Sequence, residues 1–298
     1  MKIGLLINHS VDPIKETIPN YVEIREMVQA AEANGLDSIW LVDHLLFRHG
    51  GDTTDGIWEC WTLLSALAEA TDKVELGTLV LCNPFRDPAL IAKMAHTLDE
   101  VCQGRLILGV GAGWHQPEFD AFGFPFDHRV GRFEEALQIM KPLLQGQAVS
   151  FEGTYYQVEN CEITPLSPRK EGIPLLVASR GPRMLRLTAR YADQWNTAWY
   201  GEPQEMQDMM DKMTAACEKA ERDPKSLTVT VGTSVAFTDM GKTDTFAKKP
   251  LTGSTDDLAK AFAAYEKAGA NHLQINLSPH NVSAVEKLAE AVKLYRGS

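Results

Sequence analysis

Short apolar runs alternate with helical patterns along this chain, and that alternation limits its fold more than any other feature. The clearest run is Ile39-Trp40-Leu41-Val42, bracketed by Asp37-Ser38 and by Asp43-His44. An unbroken apolar run of this length reads as a strand covered on both faces, as in a parallel sheet. It follows a helical pattern over residues 20–33 that Asn34-Gly35 stops. Further strands are predicted over residues 2–8, 74–80 and 105–110, with helices over 57–69 and 88–102 between them. Asp87-Pro88 opens the second of these helices as an N-cap followed by proline at the first helical position.

The rhythm breaks between Trp114 and Ile173. This excursion is predicted to hold one helix over residues 129–144 and a hairpin turning at Glu152-Gly153. An insertion of that length in a compact domain is expected to wall a pocket and set its size and polarity. The repeat resumes with strands over 174–178, 194–197, 227–237 and 272–277, and helices opened by Gly181-Pro182, over 203–222, from Ser254 and Asp257 to Gly269, and over 283–295. Eight strands alternating with helices predict a single α/β domain over residues 1–298. Its expected form is a closed (β/α)8 TIM barrel with a long insertion between the fourth and fifth strands. An open doubly wound sheet is the alternative.

Charge and cysteine usage narrow the function. The net charge of −11 argues against a nucleic-acid backbone as partner, which would need a basic face. No apolar run approaches the roughly 18 residues of a membrane span, and the amino terminus reads as a first strand, not a leader. The five cysteines (Cys60, Cys82, Cys102, Cys161, Cys217) form no Cys-x-x-Cys pair, which points to free thiols in a reducing cytoplasm and against a zinc site. His49, His96, His128, His272 and His280 are isolated, and no His-x-His or His-Glu-x-x-His spacing offers metal ligands.

Parallel α/β folds bind ligands at the carboxyl ends of their strands, which draws attention to Asp43 and His44. The same argument applies to Gly111-Ala112-Gly113-Trp114 after the fourth strand and Ser179-Arg180-Gly181-Pro182-Arg183 after the fifth. The glycine loop holds only part of a Gly-x-Gly-x-x-Gly fingerprint, so close backbone approach to a planar group is the better reading. Free N–H groups and the helix dipole make the second loop a candidate anion site. Trp58 and Trp199, near strand ends and loops, are candidates for the wall of an apolar substrate pocket. Trp61 and Trp195 read as core.

Taken as a set, several segments resemble the bacterial-luciferase-like oxidoreductases, in particular the branch that uses the deazaflavin coenzyme F420. They are residues 38–44, 76–80, 88–99, 104–114, Arg132-Phe133-Glu134-Glu135 and 189–196, in the same order along nearly the whole chain. The resemblance implies a (β/α)8 barrel with a long insertion, in agreement with the strand count. It implies that Asp43 and His44 lie against the flavin or deazaflavin ring. His44 would move a proton as hydride moves, a role that imidazole suits near neutrality. It further implies a non-proline cis peptide between Leu79 and Val80, with Thr78, Leu79 and Val80 against the cofactor. Gly111, Ala112, Gly113 and Trp114 would flank the cofactor, with His115 and Glu118 toward the substrate. Residues 179–183 would hold the cofactor phosphate. The chain departs from the F420 glucose-6-phosphate dehydrogenases at Trp114, where those enzymes carry a catalytic glutamate.

The expected activity is hydride transfer between coenzyme F420 and a small organic substrate in a cytoplasmic homodimer. The alternative is a flavin mononucleotide (FMN) monooxygenase fed reduced flavin by a partner reductase. A non-catalytic flavin-binding relative and a metal-dependent barrel hydrolase using Asp43 and His44 stand further off.

Overall fold

The computed structural model describes residues 1–48, 50 and 53–297; His49 lies outside them. The apolar runs become strands that are buried along nearly their whole length. In chain order the first half comprises β1 (Lys2–Leu6), α1 (Tyr21–Ala33), β2 (Ser38–Leu41), α2 (Cys60–Glu69), β3 (Glu75–Thr78), β4 (Leu81–Cys82), α3 (Pro88–Val101) and β5 (Leu106–Gly111). The insertion holds α4 (Gln116–Phe122), α5 (Arg129–Leu144), β6 (Val149–Glu152) and β7 (Gln157–Cys161). Then follow β8 (Leu175–Ala178), α6 (Pro182–Tyr191), β9 (Gln194–Tyr200), α7 (Gln207–Lys219), β10 (Thr228–Ala236), α8 (Thr255–Lys267), β11 (His272–Ser278) and α9 (Val282–Gly297).

The main sheet runs β3-β2-β1-β11-β10-β9-β8-β5-β4, and a further pairing of β3 with β5 closes it. All its pairings are parallel. Because β3 and β4 are two pieces of one interrupted strand, the ring is an eight-stranded (β/α)8 barrel, and the open-sheet alternative falls. The interruption is the Leu79–Val80 peptide, which is cis, as the resemblance implies. Ala198–Trp199 is a second non-proline cis peptide, which nothing in the sequence announced.

Alternation along the strands sorts the core into two layers. Ile3, Leu5, Ile39 and Leu41 face outward and pack with Ile24 and Val28 of α1. Leu6, Trp40, Leu79, Ile107 and Leu176 face inward and fill the barrel. Trp40 fits only because its neighbours are small. A Cβ added to Gly77, which pairs with Trp40 across β2 and β3, would lie 2.2 Å from the indole. The indole Nε1 donates to Ser38 Oγ at 2.7 Å, and Ser38 Oγ lies 2.7 Å from His272 Nε2. Trp61 and Trp195 are core, as expected.

Two predicted elements differ, and a third element is new. The hairpin strands are β6 and β7, antiparallel, with residues 153–156 as the loop, so 154–156 are not strand. Glu135 on α5 explains the shift: its carboxylate accepts the backbone N–H groups of Thr154, Tyr155 and Tyr156, which removes them from the ladder. The predicted helix over 203–222 is a short 3-10 turn at Pro203–Met206 followed by α7. Helix α4 was not predicted at all, although Pro117 and Glu118 in its first turn and Gly123 at φ 76° mark its two ends.

Candidate active site

At the carboxyl end of the barrel a cavity of about 800 Å³ opens above the inner layer. Its floor includes Leu6 and Leu79, and Val42, His44, Trp114 and Trp199 rise around it. His44 sits three residues beyond β2, where the strand's extended path delivers it to the rim.

The partner of His44 is Glu118, not Asp43. His44 Nδ1 lies 2.9 Å from Glu118 Oε1, while Glu118 Oε2 accepts the backbone N–H of Leu45 at 2.9 Å. Glu118 is 1% exposed and stands in the first turn of α4. A carboxylate can only accept, so the ring nitrogen that faces Glu118, Nδ1, carries a proton. Nε2 is then the nitrogen left for the cavity. The ring is also wedged by Phe47, Trp114 and His115, with centroids 4.5, 5.5 and 6.3 Å away. An imidazole oriented by a buried carboxylate is an arrangement suited to proton transfer at a fixed point.

Asp43 has another task, which corrects the expectation that it shares the ring face with His44. Its Oδ2 accepts the N–H of Cys82 and Nη1 of Arg86, both at 2.8 Å, and Oδ1 accepts Nη2 of Arg86 at 3.1 Å. Arg86 also reaches Glu59, which caps α2. Asp43 is thus a buried strut tying the end of β2 to β4 and to the turn after it.

Thr78 is likewise structural. Its hydroxyl donates to Gly109 O at 2.6 Å and accepts from Gly109 N at 3.0 Å, pinning β3 to β5. Leu79 lines the cavity, whereas Val80 packs against Gly109 and Gly111. A Cβ on Gly111 would come within 2.7 Å of Val80, and one on Gly113 (φ 76°) would meet Phe119 and Cys82. These glycines therefore answer to packing within the protein, and Gly111, Ala112 and Gly113 do not line the cavity. Arg129 Nη1 fixes the loop by donating to Gly113 O at 2.6 Å. His115 is buried behind His44 and accepts from the N–H of Arg48. Trp58 is not in the cavity: it is half exposed and donates to Pro19 O.

Residues 179–183 lie outside the cavity as well. Ser179 shares a hydrogen bond with Thr188, Arg183 pairs with Glu134, and Arg180 lies over the Tyr200 ring. Helix α6 nevertheless begins at Gly181 with no side-chain cap, and a Cβ there would meet nothing within 4 Å. With no side-chain cap and Pro182 lacking an N–H, the remaining first-turn N–H groups of α6 are not taken by a capping side chain, as an anion site at a helix start needs.

Several cavity residues were not singled out by sequence: His9, Phe47, Phe246, Asn276 and His280. Their common signal is position, since His9, Asn276 and His280 lie at or just beyond carboxyl ends of strands. Burial lowers the His9 imidazole and takes His280 down to about 4. Of the insertion, only Trp114 is among the described residues that line the cavity, so the segment contributes less of the pocket wall than expected. Residues 126–155 instead border a separate polar hollow of about 470 Å³ with Arg183. Among the described residues no cluster of His, Cys, Asp or Glu could hold a metal, and no helix is long and apolar enough to cross a membrane.

The chain is similar to proteins of known activity. A phthiodiolone/phenolphthiodiolone dimycocerosates ketoreductase of Mycobacterium tuberculosis is 32% identical over 72% of this chain and 61% of its own length. An F420-dependent glucose-6-phosphate dehydrogenase of Gordonia bronchialis is 33% identical over 67% of this chain and 60% of its own. The chain thus spans about three fifths of the length of these relatives. The fold matches that of an F420-dependent secondary alcohol dehydrogenase solved with an F420-acetone adduct, with a TM-score of 0.80 at 20% identity over 99% of both chains. The model of the luciferase-like monooxygenases covers residues 1–243, and the chain belongs to that family.

Proposed function

We propose that this protein is an oxidoreductase of one domain that moves hydride between coenzyme F420 and the carbonyl or carbinol carbon of a small organic substrate. The observation that carries the reading is the His44–Glu118 pair at the rim of the barrel cavity. The relatives named for ketone reduction and for F420-dependent dehydrogenation support the coenzyme and the reaction class. Bound, the deazaflavin supplies a two-electron hydride carrier.

The residues present suit such a group. Leu6, Val42, Leu79, Trp114 and Trp199 offer apolar faces to a planar ring, and the uncapped start of α6 offers N–H groups to a phosphate. When a carbonyl is reduced, doubly protonated His44 gives its Nε2 proton to the substrate oxygen; when an alcohol is oxidised, the Nδ1–H form takes a proton at Nε2. Glu118 accepts the Nδ1–H hydrogen bond in both protonation forms and fixes the orientation of the ring, so it is a positioning residue. The surrounding aromatic rings restrict the approach of water to Nε2. The same reading makes the protein a cytoplasmic homodimer, with its five cysteines unpaired.

Equilibrium binding by fluorescence quenching tests the coenzyme. Coenzyme F420 should bind at least about tenfold more tightly than FMN, a difference of about 1.4 kcal/mol. A clear preference for FMN would turn the reading to a monooxygenase supplied by a partner reductase.

A further inference from the structure

Much of the cavity lining comes from one group of loops. They are the loops that follow β1, β10 and β11, and the apolar surface there comes from Val11, Ile14, Trp199, Met240 and Phe246. Trp199 and Phe246 meet edge to face with centroids 5.0 Å apart. The wall is built, not draped. Three N–H groups of the loop after β10 are taken by barrel side chains: Asp244 by Ser278 Oγ at 3.0 Å, Phe246 by Asn276 Oδ1 at 2.9 Å, and Ala247 by Ser234 Oγ at 3.0 Å. Such anchoring sets the wall before any ligand arrives and lowers the cost of binding.

The charge in the lining is as informative as its shape. Lys15 and Lys242 are its cations, against Asp12, Asp55 and Asp244, and none of the described lining residues is an arginine. Burial keeps His9 and His280 neutral at physiological pH, so neither adds positive charge. A phosphate ester needs converging cationic donors, best supplied by guanidinium forks. This lobe supplies a slight excess of negative charge. The cavity of about 800 Å³ has to hold both the coenzyme ring and the substrate, and the apolar wall of this lobe lies beyond the residues assigned to the ring, apart from Trp199, which serves both.

We propose that the substrate is a neutral ketone, or the matching secondary alcohol, with a bulky hydrocarbon body that seats against the loops after β1, β10 and β11. The assignment rests on the F420 reading for its chemistry. In the reducing direction the carbonyl carbon gains hydride, with its two electrons, from the reduced coenzyme. The oxygen gains the Nε2 proton of doubly protonated His44, and the products are the secondary alcohol, the oxidised coenzyme and the Nδ1–H imidazole, which regains its proton from water. Apolar substrate surface covered by this wall leaves water, so affinity should climb with hydrocarbon size.

The test is ligand binding to the coenzyme-loaded protein, read by tryptophan fluorescence and calorimetry with 2-decanone, 4-phenylbutan-2-one, acetone and glucose 6-phosphate. The two larger ketones should bind at least about tenfold more tightly than acetone, and glucose 6-phosphate should not displace them. Ile14→Asp, at the partly exposed rim, should weaken 2-decanone by about tenfold and leave the coenzyme dissociation constant unchanged. Met240→Asp should do the same if Ile14→Asp fails to fold. Displacement by glucose 6-phosphate, or ketone affinity indifferent to hydrocarbon size, overturns the proposal while the coenzyme reading stands. Failure to bind F420, with size-dependent ketone binding intact, overturns the coenzyme reading and supports the apolar lobe.

Discussion

At the scale of single residues, chemistry turns on which carboxylate meets His44. Adjacency in sequence suggested Asp43, yet successive residues of an extended strand point to opposite sides, and Asp43 turns to Arg86 while His44 turns to the cavity. The true partner lies 74 residues away in sequence, on a seven-residue helix too short to announce itself by periodicity. His44→Ala should therefore keep coenzyme affinity within a few-fold and lose about 10²–10⁴-fold in turnover, the usual worth of acid-base assistance. Glu118→Gln keeps the volume but lets the amide offer either a donor or an acceptor to Nδ1, so the tautomer is no longer imposed. A substantial part of the His44→Ala loss should reappear in Glu118→Gln, with an altered pH profile of kcat and little change in KM. Wild-type turnover in both variants would reduce the pair to packing.

At the scale of elements, two glycines separate what the fold demands from what the site uses. Gly77 stands where a Cβ would press on Trp40 at 2.2 Å, inside a barrel that has no slack. Gly77→Ala should cost about 1–3 kcal/mol or more by overpacking, read as a lowered Tm, with coenzyme affinity per folded molecule little changed. Gly181 has open space around it at the start of α6, so Gly181→Val should leave Tm nearly unchanged. It would still crowd the uncapped N–H groups and weaken F420 binding by about tenfold or more, the worth of one charge-assisted hydrogen bond. Equal losses of stability and affinity at Gly181 would make the loop a plain helix start. The strands were legible because burial on both faces leaves an apolar run that no loop tolerates, and the helix over 129–144 because its pattern spans four turns. The hairpin was misplaced because Glu135, a residue of another element, captures its backbone, and no local pattern records such a capture.

At the scale of the whole molecule, the barrel's interior places imidazoles where charge is disfavoured, and that has a consequence in acid. His272 lies inside the barrel beside Ser38, whose hydroxyl accepts the Trp40 N–H and can donate its own proton to Nε2. Burial takes His272 down to about 3 and His280 to about 4, and lowers His9 in the same direction. Each folded-state value lies below the ordinary one near 6.5. Between that value and its own folded pKa, each imidazole is protonated in the unfolded chain and neutral in the native one. Acid therefore favours unfolding: the stability from neutral burial is present above about pH 6.5 and is lost as pH falls toward 4 and then 3. Each such group contributes a slope of about 1.4 kcal/mol per pH unit over its window. Urea unfolding measured from pH 7 to pH 4.5 should show stability falling with a slope larger than one group can supply. His272→Gln, which keeps an oxygen to accept from Ser38 and cannot titrate, should be less stable than wild type at pH 7 yet lose about 1.4 kcal/mol per pH unit less on acidification. An unchanged slope in that variant would mean that His272 is not the neutral buried group its surroundings require.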